Sequence, residues 1–231
     1  MPRRSRTSLA LVTIVAVVPV GLIGGGALTT SQGAEPATAE VATFEAGDLQ
    51  WRGSVSAGQP WRGLLFRGVQ LPPEGADFFT WDFPLRIAPN RPWRRWAADR
   101  TLFVLLRVLA EYRAANPEAG RVGIADLSRP AGGSFGRRFG GLGHASHQNG
   151  IDVDLLYPRR DLLELAPSRP AQIDRLLAQD LVDRFVAAGA RYVFVGPRTG
   201  LRGPRKIVRP LVHHDDHMHL RFFTRGGRVR D

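Results

Sequence analysis

The chain has 231 residues, 43% of them hydrophobic, and a formal charge of +11 from 32 Lys and Arg against 21 Asp and Glu. Less an N-terminal leader, that length holds one substantial core, and the lack of cysteine excludes disulfide staples and thiolate metal sites. Any metal must therefore be held by imidazole, carboxylate or backbone oxygen.

The positive charge is almost wholly arginine, since Lys206 is the only lysine. Such a surface attracts polyanions: nucleic acid, an acidic membrane face or an anionic cell-wall polymer. Charge alone does not choose among them. The N-terminus does more, because Arg3, Arg4 and Arg6 precede an apolar run at 9–23 and then small residues, with Ala37-Thr38-Ala39 as a candidate cleavage site. Residues 1–39 thus read as a signal peptide, or as an uncleaved membrane anchor with linker, since the stretch from Leu9 to Leu28 approaches spanning length. The rest of the chain, 49–231, then faces outward as one domain, and export disfavours DNA as partner.

Residues 49–96 contain all five tryptophans among many Gly and Pro. Their expected role is packing beneath an irregular segment. Helical spacing of Leu102, Leu105, Leu106, Leu109 and Tyr112, closed by Pro117, predicts a helix over 97–115. A strand is expected at 121–127. A second helix over about 170–188 carries Ile173, Leu176, Leu177, Leu181 and Phe185 on one face, with Ser168 and Pro170 near its start and Gly189 after its end. RYVFV at 191–195 reads as a buried strand, and a basic loop follows at 198–210.

All six histidines fall in two stretches, HASHQNGIDVDLL at 144–156 and HHDDHMHL at 213–220. As a strand, 151–156 puts Ile151, Val153 and Leu155 on one face and Asp152 and Asp154 on the other. HMHLRFF likewise turns Met218, Leu220 and Phe222 inward and His217, His219 and Arg221 outward. Two such strands side by side present imidazoles and carboxylates to a common surface, which suits a metal. Alternation alone is weak, because any surface strand shows it; the clustering of every histidine with four acidic residues carries the reading. Three ligands of the His-His-Asp type leave a position open, the catalytic arrangement, and hydrolysis is its natural chemistry.

His147-x6-Asp154 followed by His217-Met218-His219 resembles the LAS metallopeptidases, which include lysostaphin-type enzymes, D-Ala-D-Ala peptidases and the hedgehog signalling domain. Within that group RPAGGSFGRRFGGLGHASHQNGIDVDLLY with HHDDHMHLRF, spanning about 120–222, resembles the penicillin-insensitive murein endopeptidases. The resemblance implies an α+β, hedgehog/DD-peptidase-like fold, with a small antiparallel sheet carrying the metal site between flanking helices. It implies one Zn2+ per chain on His147, Asp154 and His219, His217 as general base, and His144 and His214 lining the site. Strand parity leaves Asp152 equivalent to Asp154; the motif selects Asp154 and makes Asp152 an outer partner that orients an imidazole. His214 would face away in an unbroken strand, so a loop or a bulge is expected around Asp215 and Asp216. Arg129 and Ser134 are weaker candidates for contacting substrate.

The implied substrate is the peptidoglycan cross-link, cleaved at the D-alanyl to meso-diaminopimelate amide in an extracytoplasmic compartment, with anionic wall polymers as a further partner. Lack of a serine nucleophile accords with penicillin insensitivity, since an activated water offers nothing to acylate. One alternative is a D,D-carboxypeptidase or dipeptidase of the same fold, where a Glu usually stands at the position of Asp216. Another is a non-catalytic metal-bearing wall-binding module.

Overall fold

The computed structural model describes residues 44, 46–136 and 144–224. The predicted leader and cleavage site, and positions 137–143 of the glycine-rich run before His144, lie outside these residues. Among the described residues no helix is long and apolar enough to cross a membrane.

Residues 49–96 hold more regular structure than their composition suggests. β1 (Val55–Gln59) and β2 (Arg62–Phe66) form an antiparallel hairpin turning at Pro60 and Trp61. β3 (Val69–Gln70) pairs with β5 (Trp96–Ala97), and β4 (Phe78–Thr80) joins the main sheet. That sheet has six strands in the order β4, β6 (Val122–Ile124), β7 (Asp152–Leu156), β10 (His217–Arg221), β8 (Tyr192–Val195) and β9 (Val208–Pro210). The inner four run antiparallel, but the outer pairs β4–β6 and β8–β9 are parallel. The class is α+β, as expected. The small antiparallel sheet is corrected to a larger mixed one, because the two edge strands have only three residues each and so carry no readable alternation.

α1 (Asp99–Ala115) buries the five predicted apolar side chains. α2 (Arg175–Ala187) begins later than its apolar pattern suggests, because Asp174 is the cap: its carboxylate accepts hydrogen bonds from the Leu176 and Leu177 N–H groups. Ser168 and Pro170 belong to a preceding region in which Pro170–Gln172 makes a separate helical turn. Leu176, expected on the apolar face, is 85% exposed, while Ile173, Ala178, Leu181, Val182 and Phe185 are buried. Both helices share one apolar cluster with Ile124, Val153, Leu155, Val193, Met218 and Leu220. This cluster occupies one face of the sheet, so the alternate residues of β7 and β10 are turned to the other.

The tryptophans divide. Trp81 is buried and Trp93 and Trp96 are half-buried, but Trp51 and Trp61 are 60% and 55% exposed. Packing therefore accounts for only part of the set. The tip of the β1–β2 hairpin is fixed from below, where the Gln148 N–H donates to the Pro60 carbonyl at 2.9 Å.

Candidate metal centre

Strand register builds the floor of the site. In the β7–β10 ladder His219 lies opposite Asp154, Arg221 opposite Asp152 and His217 opposite Leu156. Directly opposed side chains on one face are near neighbours. The face is not a solvated one: Asp152, Asp154 and His219 are all buried, because loops close over it.

His147 arrives from the loop entering β7, in left-handed backbone (φ 66°), a conformation a non-glycine residue holds only where its surroundings over-determine it. Its N–H donates to Asp152 Oδ2 at 2.9 Å. Gly150, at φ 77°, completes the turn, and a Cβ there would meet the Ala98 nitrogen at 2.9 Å. The second histidine segment enters β10 from a loop at 211–216, as the parity argument for His214 requires. Tyr157 Oη steadies that loop, donating to the His214 carbonyl at 3.1 Å and accepting from the Gly196 N–H at 3.2 Å.

Three ligand atoms converge. His147 Nε2 lies 3.2 Å from His219 Nδ1 and 3.2 Å from Asp154 Oδ1, and His219 Nδ1 lies 3.0 Å from the same oxygen. Metal–ligand bonds of about 2.0–2.1 Å in tetrahedral geometry would space such atoms by about 3.3 Å. The tautomers fit as well. The Leu127 carbonyl, 2.9 Å from His147 Nδ1, can only accept, which puts the proton on Nδ1 and leaves Nε2 with its lone pair. His219 Nε2 is buried without a hydrogen bond among the described residues, 3.3 Å from Asp152 Oδ1.

His144, His147 and Asp154 also bring ligand atoms within 4.8 Å of one another. His144 is the weaker third ligand, because its Nε2–H donates to Asp126 Oδ2 at 2.6 Å and this buried carboxylate favours its charged form, which has no lone pair to give. The three aspartates of the site differ in the same respect. Asp126 is clamped by both arms of the buried Arg94 guanidinium, and Asp152 accepts from Arg221 Nε at 2.7 Å. Asp154 faces imidazoles alone among the described residues, with no fixed cation of its own.

Electrostatics follow this division. Burial pushes Asp154 upward, but the imidazoles of His147, His217 and His219 beside it hold it well below the carboxylate range. Burial lowers His147, with the neighbouring His144 and His219 reinforcing it against the pull of Asp154. His219 goes the other way: burial opposes charging, yet Asp152 and Asp154 lift it to about 9. Without metal, an imidazolium is thus the cation that Asp154 faces.

Around the floor runs a groove of about 700 Å3, with Trp61 and Phe194 on one side and Leu211 to His214 on another. His217 stands in its wall. Its Nδ1–H donates to Asp216 Oδ1 at 2.7 Å, which leaves Nε2 free, 3.8 Å from Asp154 Oδ1. His214 Nδ1–H donates to the Val212 carbonyl at 2.8 Å, and burial, reinforced by His217, pushes its pKa down to about 4.

Comparison with known proteins agrees with this chemistry. The model of the penicillin-insensitive murein endopeptidase family matches residues 56–185, more than half of the chain. The chain belongs to this family. A penicillin-insensitive murein endopeptidase of Yersinia enterocolitica is 29% identical over 189 residues, which cover 69% of this chain and 62% of that protein. One from Salmonella heidelberg is 33% identical over 154 residues, 55% of this chain and 54% of its own length. The chain thus spans about half to three fifths of the length of these relatives. The family match includes His144, His147, Asp152 and Asp154 and ends before His217 and His219, so the second segment rests on its own geometry.

Of the residues singled out in the sequence, the structure gathers His144, His147, Asp154, His214, His217 and His219 around one groove, with Asp152 and Asp216 behind the imidazoles. It does not bring Arg129 and Ser134 there: Arg129 donates to the Ser134 carbonyl at 2.8 Å within its own loop. Asp215 is spent on Arg198, whose Nε donates to it at 2.7 Å. Asp126, Trp61 and Phe194 escaped sequence reasoning. Only Asp126 left a signal, a lone carboxylate inside the apolar run VGIADL.

Proposed function

We propose that this family member is a zinc-dependent, extracytoplasmic peptidoglycan hydrolase that cleaves the D-alanyl to meso-diaminopimelate amide of cross-links, on an LAS-type core formed by β6, β7, β10 and β8. The observation that carries the reading is the triangle of His147 Nε2, His219 Nδ1 and Asp154 Oδ1, two imidazole nitrogens and a carboxylate without its own fixed cation among the described residues. These three would hold one divalent ion, which when bound supplies Lewis acidity to a scissile carbonyl and to water.

The chain's own groups do the rest. His217, fixed through Nδ1 by Asp216, offers Nε2 to the attacking water, takes its proton, and returns it to the amide nitrogen that leaves. His144, paired with buried Asp126, offers a positive edge toward the developing oxyanion. Its pKa is raised, because although burial opposes charging, the hydrogen bond to Asp126 and the nearby Asp154 outweigh it. Asp152 receives the His147 N–H and stands beside His219 Nε2, orienting both imidazoles. Exposed Arg202, Arg205 and Lys206, on the loop before β9, and Arg209 on β9, which leads to the groove edge at Leu211, supply the surface for anionic wall polymers.

Digestion of purified cross-linked sacculi tests this. Dimers should fall to monomers, activity should vanish with chelator and return with zinc, and no free D-Ala should appear. Release of D-Ala instead would transfer the assignment to a D,D-carboxypeptidase, and a full rate in chelator would remove the metal from the reaction.

A further inference from the structure

Behind His217 lies a second cleft, of about 320 Å3, lined by Trp81, Phe83, Arg86 and Asp216 with Ala166 to Ser168 opposite. We propose that it is a subsite for a carboxylate on the substrate, carried next to the amide nitrogen that leaves, and that Arg86 selects it. The proposal rests on the hydrolase reading above.

Position gives the first argument. His217 is the wall between groove and cleft: its ring lines the groove, its centroid is 5.1 Å from that of Phe83, and its Nδ1–H is bound by Asp216. A base that takes a proton from water and returns it to a leaving nitrogen must stand beside that nitrogen. Substituents on the leaving side therefore pass His217 toward Phe83 and Arg86.

Donor chemistry gives the second. Trp81 is 4% exposed, and its Nε1–H has no acceptor among the described residues. A buried N–H without a partner is costly and uncommon. Arg86 is exposed and makes no side-chain hydrogen bond or ion pair among the described residues, although Asp216 lines the same cleft. That carboxylate is turned to His217 instead. The planar Arg86 guanidinium, an open donor fork at this cleft, matches an acceptor-only group such as a carboxylate.

Rigidity gives the third. The Arg86 N–H donates to the Asp82 carbonyl at 2.7 Å, the Asp82 N–H to the Ile87 carbonyl at 2.8 Å, and the Leu85 N–H to Asp82 Oδ1 at 3.1 Å. Asp82 is buried and held by Arg91. This turn keeps Arg86 in left-handed backbone at φ 55°, a strained setting for a side chain with a Cβ. The guanidinium is thereby presented from a fixed base rather than a loose loop.

The test uses the full chain and two cross-linked muropeptide dimers that differ only at the residue providing the leaving nitrogen, with its carboxylate free in one and amidated in the other. The free acid should be preferred by about tenfold or more in kcat/KM, the scale of a charge-assisted hydrogen bond. Arg86→Ala should bring that ratio close to one, and Arg86→Lys should keep part of it. A merely structural role for Arg86 lowers both rates together and leaves the ratio as it was, which overturns the proposal. Should Arg86→Ala fail to fold by thermal melt, Arg86→Gln replaces it in the same ratio.

Calorimetric binding of the released monomer peptide, as acid and as amide, separates this inference from the hydrolase reading. If neither dimer is cut, the hydrolase reading fails. The cleft is then judged by binding alone: acid favoured severalfold and the difference lost in Arg86→Ala supports it, while equal binding of acid and amide defeats it.

Discussion

Two histidine–aspartate pairs sit within the same groove and differ in one respect. On the wall, Asp126 gives one oxygen to His144 and both to Arg94, so the protein itself supplies a permanent cation and the carboxylate's capacity is filled. On the floor, Asp154 has two imidazoles sharing a single oxygen and no guanidinium among the described residues. Burial is nearly equal, at 0% and 1% exposed. Residue type and burial therefore do not distinguish a structural carboxylate from one proposed to hold a metal. What distinguishes them is whether the fold has already provided a counter-charge.

The comparison breaks most sharply at its floor. Asp154→Ala should abolish zinc uptake and reduce cross-link cleavage by at least about 10^3-fold, since a Lewis acid contributes several kcal/mol to such a barrier and each 1.4 kcal/mol is about tenfold. Metal analysis and muropeptide chromatography on the same preparation check it. An Asp154→Ala protein that retains stoichiometric zinc and rate would mean that floor and wall are alike.

His217 tests a different part of the same geometry. Removing a general base costs about 10^2–10^4-fold, and removing the group that orients it costs less, about 10–100-fold. His217→Ala should fall in the larger range and Asp216→Asn in the smaller, both with zinc content intact. If Asp216→Asn loses as much as His217→Ala, Asp216 acts in the chemistry directly and not through the imidazole.

Much of this was legible in advance, and the reason is local. Alternation in IDVDLL and HMHLRFF places Asp152, Asp154, His217 and His219 on the face away from the core, and that is a property of consecutive residues. The helix at 99–115 was readable for the same reason. Three features were not. Asp126 meets Arg94 across 32 positions and His144 across 18, and the segments meet through long-range contacts such as the Leu127 N–H on the Arg94 carbonyl rather than through neighbours in sequence. Trp61 reaches the groove only because its hairpin tip docks on Gln148. The parallel edge strands β4 and β9 are set by the path of the chain, which short segments do not announce.

The wall predicts a stability effect where the floor predicts a catalytic one. Asp126→Ala removes the carboxylate that clamps a buried guanidinium, and breaking such a buried pair costs about 3–5 kcal/mol, while the ligand triangle keeps its zinc. pH sharpens this. Burial pushes Asp126 upward, but His144 and Arg94 hold its carboxyl below its ordinary 3.8, so its stabilisation is present above 3.8 and is lost as acid carries the pH through the lowered folded value. His144 is raised above its ordinary 6.5, so its contribution is complete below 6.5 and is lost as pH rises through the raised value. The two windows overlap between 3.8 and 6.5. His144→Gln should therefore cost most near pH 5, about 1.5–3 kcal/mol by urea denaturation, and progressively less in alkali. Asp126→Ala should stay costly there, because Arg94 keeps its charge. A His144→Gln penalty that is the same at pH 5 and pH 9 would show that the imidazole is not the charged partner of Asp126.

The smallest effect belongs to Trp61. Its ring is more than half exposed at the groove mouth, with the Arg221 guanidinium 6.0 Å from its centroid. The hairpin docks through the Gln148 N–H on the Pro60 carbonyl and the Asn149 side chain on the Gly58 carbonyl, contacts that do not use the indole, so truncating it removes a surface for substrate while leaving the β7–β10 pairing of His219 and the fixed pair at Arg94 in place. A stacked aromatic contact is worth about 0.5–1.5 kcal/mol, or roughly two- to tenfold. Trp61→Ala should accordingly raise KM for cross-linked peptide within that range at unchanged kcat, because a platform distant from the reacting atoms holds ground and transition states equally. A fall in kcat at constant KM would place the indole against the reacting amide, and the hairpin would then belong to the catalytic floor rather than to its rim.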